Sequence, residues 1–157
     1  MKANIGLSDK DRAGVLGILG STLADEFLLY TKTRNYHWNV TGSDFSELHK
    51  FFEAQYEELD DIMDETAERA RALDGVSLGS MTEFLQTARL KESPGKVPSA
   101  SKMIANLLAD HEALVRSMRK DLDACQAEFH DAGTADFLTG LMEQHEKMAW
   151  MLRAYLR

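Results

Sequence analysis

An all-α, four-helix bundle is the fold class this sequence predicts, and three observations carry it. Proline is confined to Pro94 and Pro98, so four long stretches run without an internal breaker. Within those stretches apolar residues recur at helical spacing. One weakly patterned segment, from Val76 to Ser101, separates the second stretch from the third.

The first helix is expected to start at Ser8, an N-cap with Asp11 at the third helical position, and to run to about His37. Leu16, Leu19, Leu23, Phe27 and Tyr30 form its apolar side. Asn39-Val40-Thr41-Gly42 then breaks it. Ser43 is the expected cap of the second helix, which reaches about Leu73 with Phe45, Leu48, Phe52, Leu59, Ile62, Thr66 and Leu73 on its core face. Asp74-Gly75 ends it. In the connection, Ser80-Met81-Thr82-Glu83 reads as the capping box of a short helix ending near Leu90.

The third long helix should span about Ser101 to Phe129, with Ile104, Leu107, Leu108, His111, Leu114, Val115, Met118 and Leu122 inward. After Asp131-Ala132-Gly133 the fourth, capped by Thr134, continues almost to Arg157. Four long helices with one long crossover after the second is the ferritin-like arrangement, here with a short extra helix in that crossover. At 157 residues the chain is expected to be a single domain, 1–157.

Composition narrows the function. Cys125 is the one cysteine, which excludes an internal disulfide and a cysteine zinc finger and points to a reducing compartment; helical spacing makes it a small semi-buried residue. The start MKANIGLSDKDR lacks the apolar run of a signal peptide, and no segment approaches about 18 uninterrupted apolar residues. The expected place is therefore the cytoplasm, with no membrane partner. A net charge of −8 favours cations over nucleic acid or anionic membranes.

The second helix carries the chemistry. His49, Glu53, Glu57, Asp60, Asp64 and Glu68 fall within a sector roughly 100° wide at helical spacing. Neighbouring like charges destabilise a helix unless cations or water screen them, so the stripe suits hard or borderline metal ions. A solvated acidic face is the plainer reading, and it stays open for Glu57 and Asp60. His37, between Tyr36 and Trp38, is a ligand or a packed helix-end residue; a reversal at Gly42 would bring it to His49. His111 and His145 are expected to hydrogen-bond inside the bundle, and His130 to lie on the surface.

Asp64 lies 15 residues from His49, about 22 Å along a straight helix. One chain does not close a site across that span. Two antiparallel copies of the helix about a two-fold axis would, each histidine end facing the partner's Asp64 and Glu68.

At His37-Trp38-Asn39-Val40, at His49 twelve residues on, and at Asp60-Asp61-Ile62-Met63-Asp64-Glu65-Thr66-Ala67-Glu68-Arg69, the chain closely resembles the Dps family of mini-ferritins. Thr134 to Leu138 and His145 to Arg153 resemble that family's last helix. The resemblance implies a hollow shell of twelve subunits in a prokaryotic cytoplasm, with nucleoid association as a further expectation. It also implies ferroxidase activity: Fe(II) is oxidised, preferably by hydrogen peroxide, and stored as ferric mineral against oxidative damage.

Carried over residue by residue, His37 and His49 would come from one subunit and Asp64 and Glu68 from its partner. Glu53 stands where the family usually has an aspartate. Glu57 and Asp60 are candidates for mineral nucleation, and Asp131 and Asp136 for an acidic iron-entry pore. The alternative function is DNA compaction with iron oxidation secondary. Family members that condense DNA use a lysine-rich arm, whereas only Lys2 precedes Ser8 here and nothing follows Arg157, so binding through a basic tail is not expected.

Overall fold

The computed structural model describes residues 3–156, so Lys2 and Arg157 lie outside the described residues. Five helices follow one another: α1 (Asp9–Asn39), α2 (Phe45–Ala72), α3 (Met81–Thr87), α4 (Ala100–Ala127) and α5 (Ala132–Ala154), with no strand among the described residues. Helices α1 and α2 pack as one pair, α4 and α5 as another, and α3 lies in the crossover against α1. The bundle has the expected ferritin-like connectivity. Its core is a continuous apolar cluster in which Phe52, Leu59, Leu107, Leu114, Leu138 and Met148 are each less than 2% exposed.

Helix α1 is apolar over most of its circumference because α2, α3 and α4 all pack on it. One 18-residue window in it has a mean hydropathy of 1.3, so it is long and apolar enough to cross a membrane by length and composition. The absence of a span-like segment expected from the uninterrupted runs is thus qualified. Val15, Leu19, Leu23, Ala24, Leu28 and Leu29 are buried in the bundle, the behaviour of a core helix.

Several element ends differ from expectation for local reasons. Ser8 caps α1 as expected, its hydroxyl accepting from Asp11 N at 3.1 Å. The cap of α2 is Asp44 rather than Ser43, because Gly42, at φ +122°, turns the chain so that Phe45 N reaches Gly42 O. Phe45 is consequently 45% exposed rather than in the core. The capping box at Ser80 and Glu83 forms, but α3 stops at Thr87, because the Arg89 and Leu90 amides turn to the Asp25 carboxylate at 2.6 and 2.9 Å. Helix α5 begins at Ala132, capped by Asp131 instead of Thr134. Thr134 is the third helical residue, and its amide donates to Asp131 at 3.0 Å.

His130 is exposed, as expected, in the left-handed region at φ +57°. Cys125 is fully buried, and burial pushes its thiol up to about 12, which leaves it unreactive.

Candidate metal centre

The reversal at Gly42 does bring His37 and His49 together. Their rings stack with centroids 3.7 Å apart, and each ring's Nδ1 meets the other residue's main-chain carbonyl, His37 at 2.7 Å and His49 at 2.9 Å. A carbonyl oxygen only accepts, so each Nδ1 is the protonated nitrogen. Both Nε2 lone pairs are thereby left for a cation. This is the tautomer control that metal-ligating histidines receive from a second layer of partners. His37 is buried and His49 half-buried, and Phe45 covers the outer face of the His49 ring at 5.2 Å.

Glu53 follows one turn on and is half-buried. The Tyr56 hydroxyl, 3.4 Å from Glu53 Oε1, donates toward it, and the Tyr56 ring meets His37 edge-on at 5.2 Å. Burial, then the nearby Glu53 charge, raises the phenol above its ordinary value, so it stays a donor. Arg34 lies over the Tyr56 ring at 4.5 Å and also faces Tyr30 and Trp38. Sequence reasoning missed this aromatic support; the only signal was the i,i+3 spacing of Glu53 and Tyr56.

Asp64 and Glu68 are exposed and are not brought to the histidines within the chain. Among the described residues no three His, Cys, Asp or Glu side chains form a closed metal cage. Asp64 instead lines an open cleft of about 510 Å³ with Asp60, Asp61, Leu23, Phe27, Met63 and residues of α3 and its approach. Met81, which lines it, is 64% exposed. The cleft is acidic and apolar at once. Glu57, Asp60 and Asp136 are exposed.

Asp131 is withdrawn from the pore role the sequence allowed. It is 6% exposed, caps α5 and is ion-paired with Arg69 at 3.3 Å, so its charge is consumed inside the subunit.

His111 and His145 do hydrogen-bond inside the bundle, Nδ1 to Nδ1 at 2.9 Å, and His145 Nε2 donates to Glu26 Oε1 at 2.8 Å. Burial first, and His145 second, drive His111 well below its ordinary value of 6.5, so it is neutral in the fold. The unfolded chain binds a proton at this residue below that value and the folded chain does not. Stability is therefore full above pH 6.5 and falls as the pH drops through it, by up to about 1.4 kcal/mol per unit. Urea midpoints at pH 7.5 and 5.5 should differ accordingly in wild type, and the difference should shrink in His111→Gln.

Four packed helices with one long crossover, and imidazoles paired where the end of α1 meets the start of α2, define a ferritin-like metal-handling protein, and a family model described as ferritin-like domain matches residues 16–157. The chain belongs to the Dps family within that group. It is 35% identical to DNA protection during starvation protein 2 of Bacillus anthracis, over 90% of this chain and 96% of that one. A low temperature-induced protein of Nostoc is 53% identical over 99% of this chain and 87% of its own length. The crystal structure of a Dps protein from Vibrio cholerae, described as a member of a broad superfamily of ferritin-like diiron-carboxylate proteins, superposes with a TM-score of 0.91. It is 31% identical, over 100% of this chain and 98% of that one.

Proposed function

We propose that this chain is a ferroxidase with storage capacity. It oxidises Fe(II), preferably with hydrogen peroxide, at two sites per dimer and stores the ferric product in a hollow shell of twelve copies in the cytoplasm. The observation that carries the reading is the reciprocal Nδ1 bonding of His37 and His49, which leaves both imidazole Nε2 lone pairs free to ligate a cation. Imidazole accepts Fe(II), and carboxylate oxygen favours Fe(III), so His37, His49 and Glu53 from one copy with Asp64 and Glu68 from the next form a mixed site for an ion that changes oxidation state. The apolar part of the Asp64 cleft, with Met81 exposed, supplies surface for that second copy to cover.

Iron is the substrate. Two Fe(II) give one electron each to one peroxide, whose oxygen–oxygen bond breaks; with two further waters the products are two FeOOH and four protons. Both electrons arrive without release of hydroxyl radical. Glu57 and Asp60 would face the product as nucleation carboxylates, and Asp136 remains the pore candidate.

The test is anaerobic Fe(II) with limiting peroxide, followed by ferric absorbance and a pH-stat, with particle size by light scattering. Two irons and four protons per peroxide from a shell-sized particle are expected. Equal rates with wild type and with a His37→Ala/Asp64→Ala double variant would sink the site. Salt-sensitive DNA retention that survives loss of Asp64 and Glu68, without peroxide consumption, would favour DNA compaction instead.

A further inference from the structure

We infer that Tyr56 is a positioning residue for the interface centre: its hydroxyl occupies one oxygen of Glu53, so that this carboxylate gives iron a single atom and leaves a place for the oxidant. The inference rests on the ferroxidase reading above and adds to it a residue from outside the ligand set.

A glutamate has one more rotatable bond than an aspartate, and holding it in one arrangement needs a partner. At position 53 that partner stands one turn further along α2. The Tyr56 hydroxyl lies 3.4 Å from Glu53 Oε1, and a phenol beside a carboxylate donates. No other hydrogen bond engages Glu53 among the described residues, so Oε2 is the atom left for an ion.

The hydroxyl keeps its place only if the ring behind it is held, and several groups hold it. Arg34 lies over the ring at 4.5 Å. The rings of Tyr30 and His37 stand nearly perpendicular to it, with centroids at 6.1 and 5.2 Å. Arg34 is itself tied to Tyr30, Nη1 donating to the phenol oxygen at 2.5 Å. One phenol thus packs beside His37 and restrains Glu53, two members of the proposed ligand set, without belonging to it.

The consequence lies in the coordination. A carboxylate binds a cation through one oxygen or chelates it through both. For Glu53 to chelate, Oε1 would have to leave the phenol. Held on Tyr56, Glu53 gives one atom. With one atom each from His37, His49, Glu53 and the partner subunit's Asp64 and Glu68, an Fe(II) ion keeps an open position, the feature by which histidine and carboxylate iron centres admit an oxidant. A chelating Glu53 would fill that position and slow the entry of peroxide, while the ion stayed bound. Tyr56 therefore governs access to the ion more than affinity for it.

Full-length Tyr56→Phe protein, which lacks one oxygen atom and keeps the ring, tests this. Co(II) alone should load it as it loads wild type, followed by visible absorption. Azide, a small anion that takes an open metal position, should then bind about 10–100-fold more weakly than to Co(II)-loaded wild type, and peroxide-driven Fe(II) oxidation should slow by a similar factor. In a Glu53→Asp background, whose carboxylate is one methylene short of the phenol, the same deletion should change neither quantity. Azide affinity unaltered by Tyr56→Phe overturns the inference. Equal losses in the Glu53→Asp background overturn it too, and assign Tyr56 to the packing of His37. Co(II) uptake by wild type that survives His49→Ala sinks the interface centre, and this inference with it. Uptake lost in His49→Ala, with azide unaltered in Tyr56→Phe, sinks the inference alone.

Discussion

Co-assembling a His37→Ala chain with an Asp64→Ala chain is expected to restore peroxide-driven Fe(II) oxidation to about a quarter of the wild-type rate, although neither variant is active alone. The expectation follows from how the proposed site divides between copies. In a homodimer of either variant, both sites lack a donor. In a mixed dimer one site takes its histidines from the Asp64→Ala chain and its carboxylates from the His37→Ala chain, so it is intact. The other site is doubly damaged. Random pairing makes half the dimers mixed, and half of their sites work. Removing a metal ligand should cost at least the roughly 10–100-fold that loss of an outer-layer partner costs, so the recovered signal would stand well above each parent. Mixing after unfolding and refolding, with initial rates read against the mixing ratio, checks it. A site closed within one chain would show no recovery at any ratio.

Helices were readable in this sequence because burial imposes a 3.6-residue period over stretches of more than twenty residues. Their ends were less so. Ser43 and Thr134 have the right chemistry for caps, but Asp44 and Asp131 stand beside them with equal claim, and tertiary partners decide. For Asp131 the deciding partner is Arg69, far away in sequence. The histidine half of the metal centre was legible through the turn at Gly42, yet the main-chain carbonyls that fix both tautomers have no signature in side-chain spacing.

Least visible were Asp25 and Glu26. Two acids within Leu23-Ala24-Asp25-Glu26-Phe27-Leu28-Leu29 read as an interruption of an apolar run, and both prove to be less than 2% exposed. Their burial makes sense only once Arg89 and His145 are known to reach them. A buried charge is tolerable where it is paired and hydrogen-bonded, and that pairing is a property of the fold rather than of the run.

Asp25→Ala is accordingly the substitution expected to cost most in stability per atom removed. Its Oδ1 accepts from the Arg89 and Leu90 amides, and its Oδ2 from Arg89 Nε at 2.7 Å. Arg89 is then shared with Asp121, so one carboxylate ties α1, the crossover and α4 together. Deleting it strands two main-chain donors and half of a guanidinium, Leu90 N in a buried setting. Breaking a buried pair by removing one partner costs about 3–5 kcal/mol. Arg89 retains Asp121 and is partly exposed, which places the expected loss toward the lower end of that range. The damage should concentrate in residues 76–100, because Lys32, bonded to Lys91 O and Asp110, still holds α1 to α4 and to the crossover just after Leu90. Helix α3 borders the Asp64 cleft through Met81 and Phe84, so loosening it would also weaken whatever covers that cleft. Hydrogen exchange should therefore rise in the crossover before the four long helices. Fe(II) oxidation in Asp25→Ala should fall with protein dilution, as subunits separate, faster than in wild type. A uniform rise in exchange along all helices would instead assign Asp25 to the stability of the bundle as a whole.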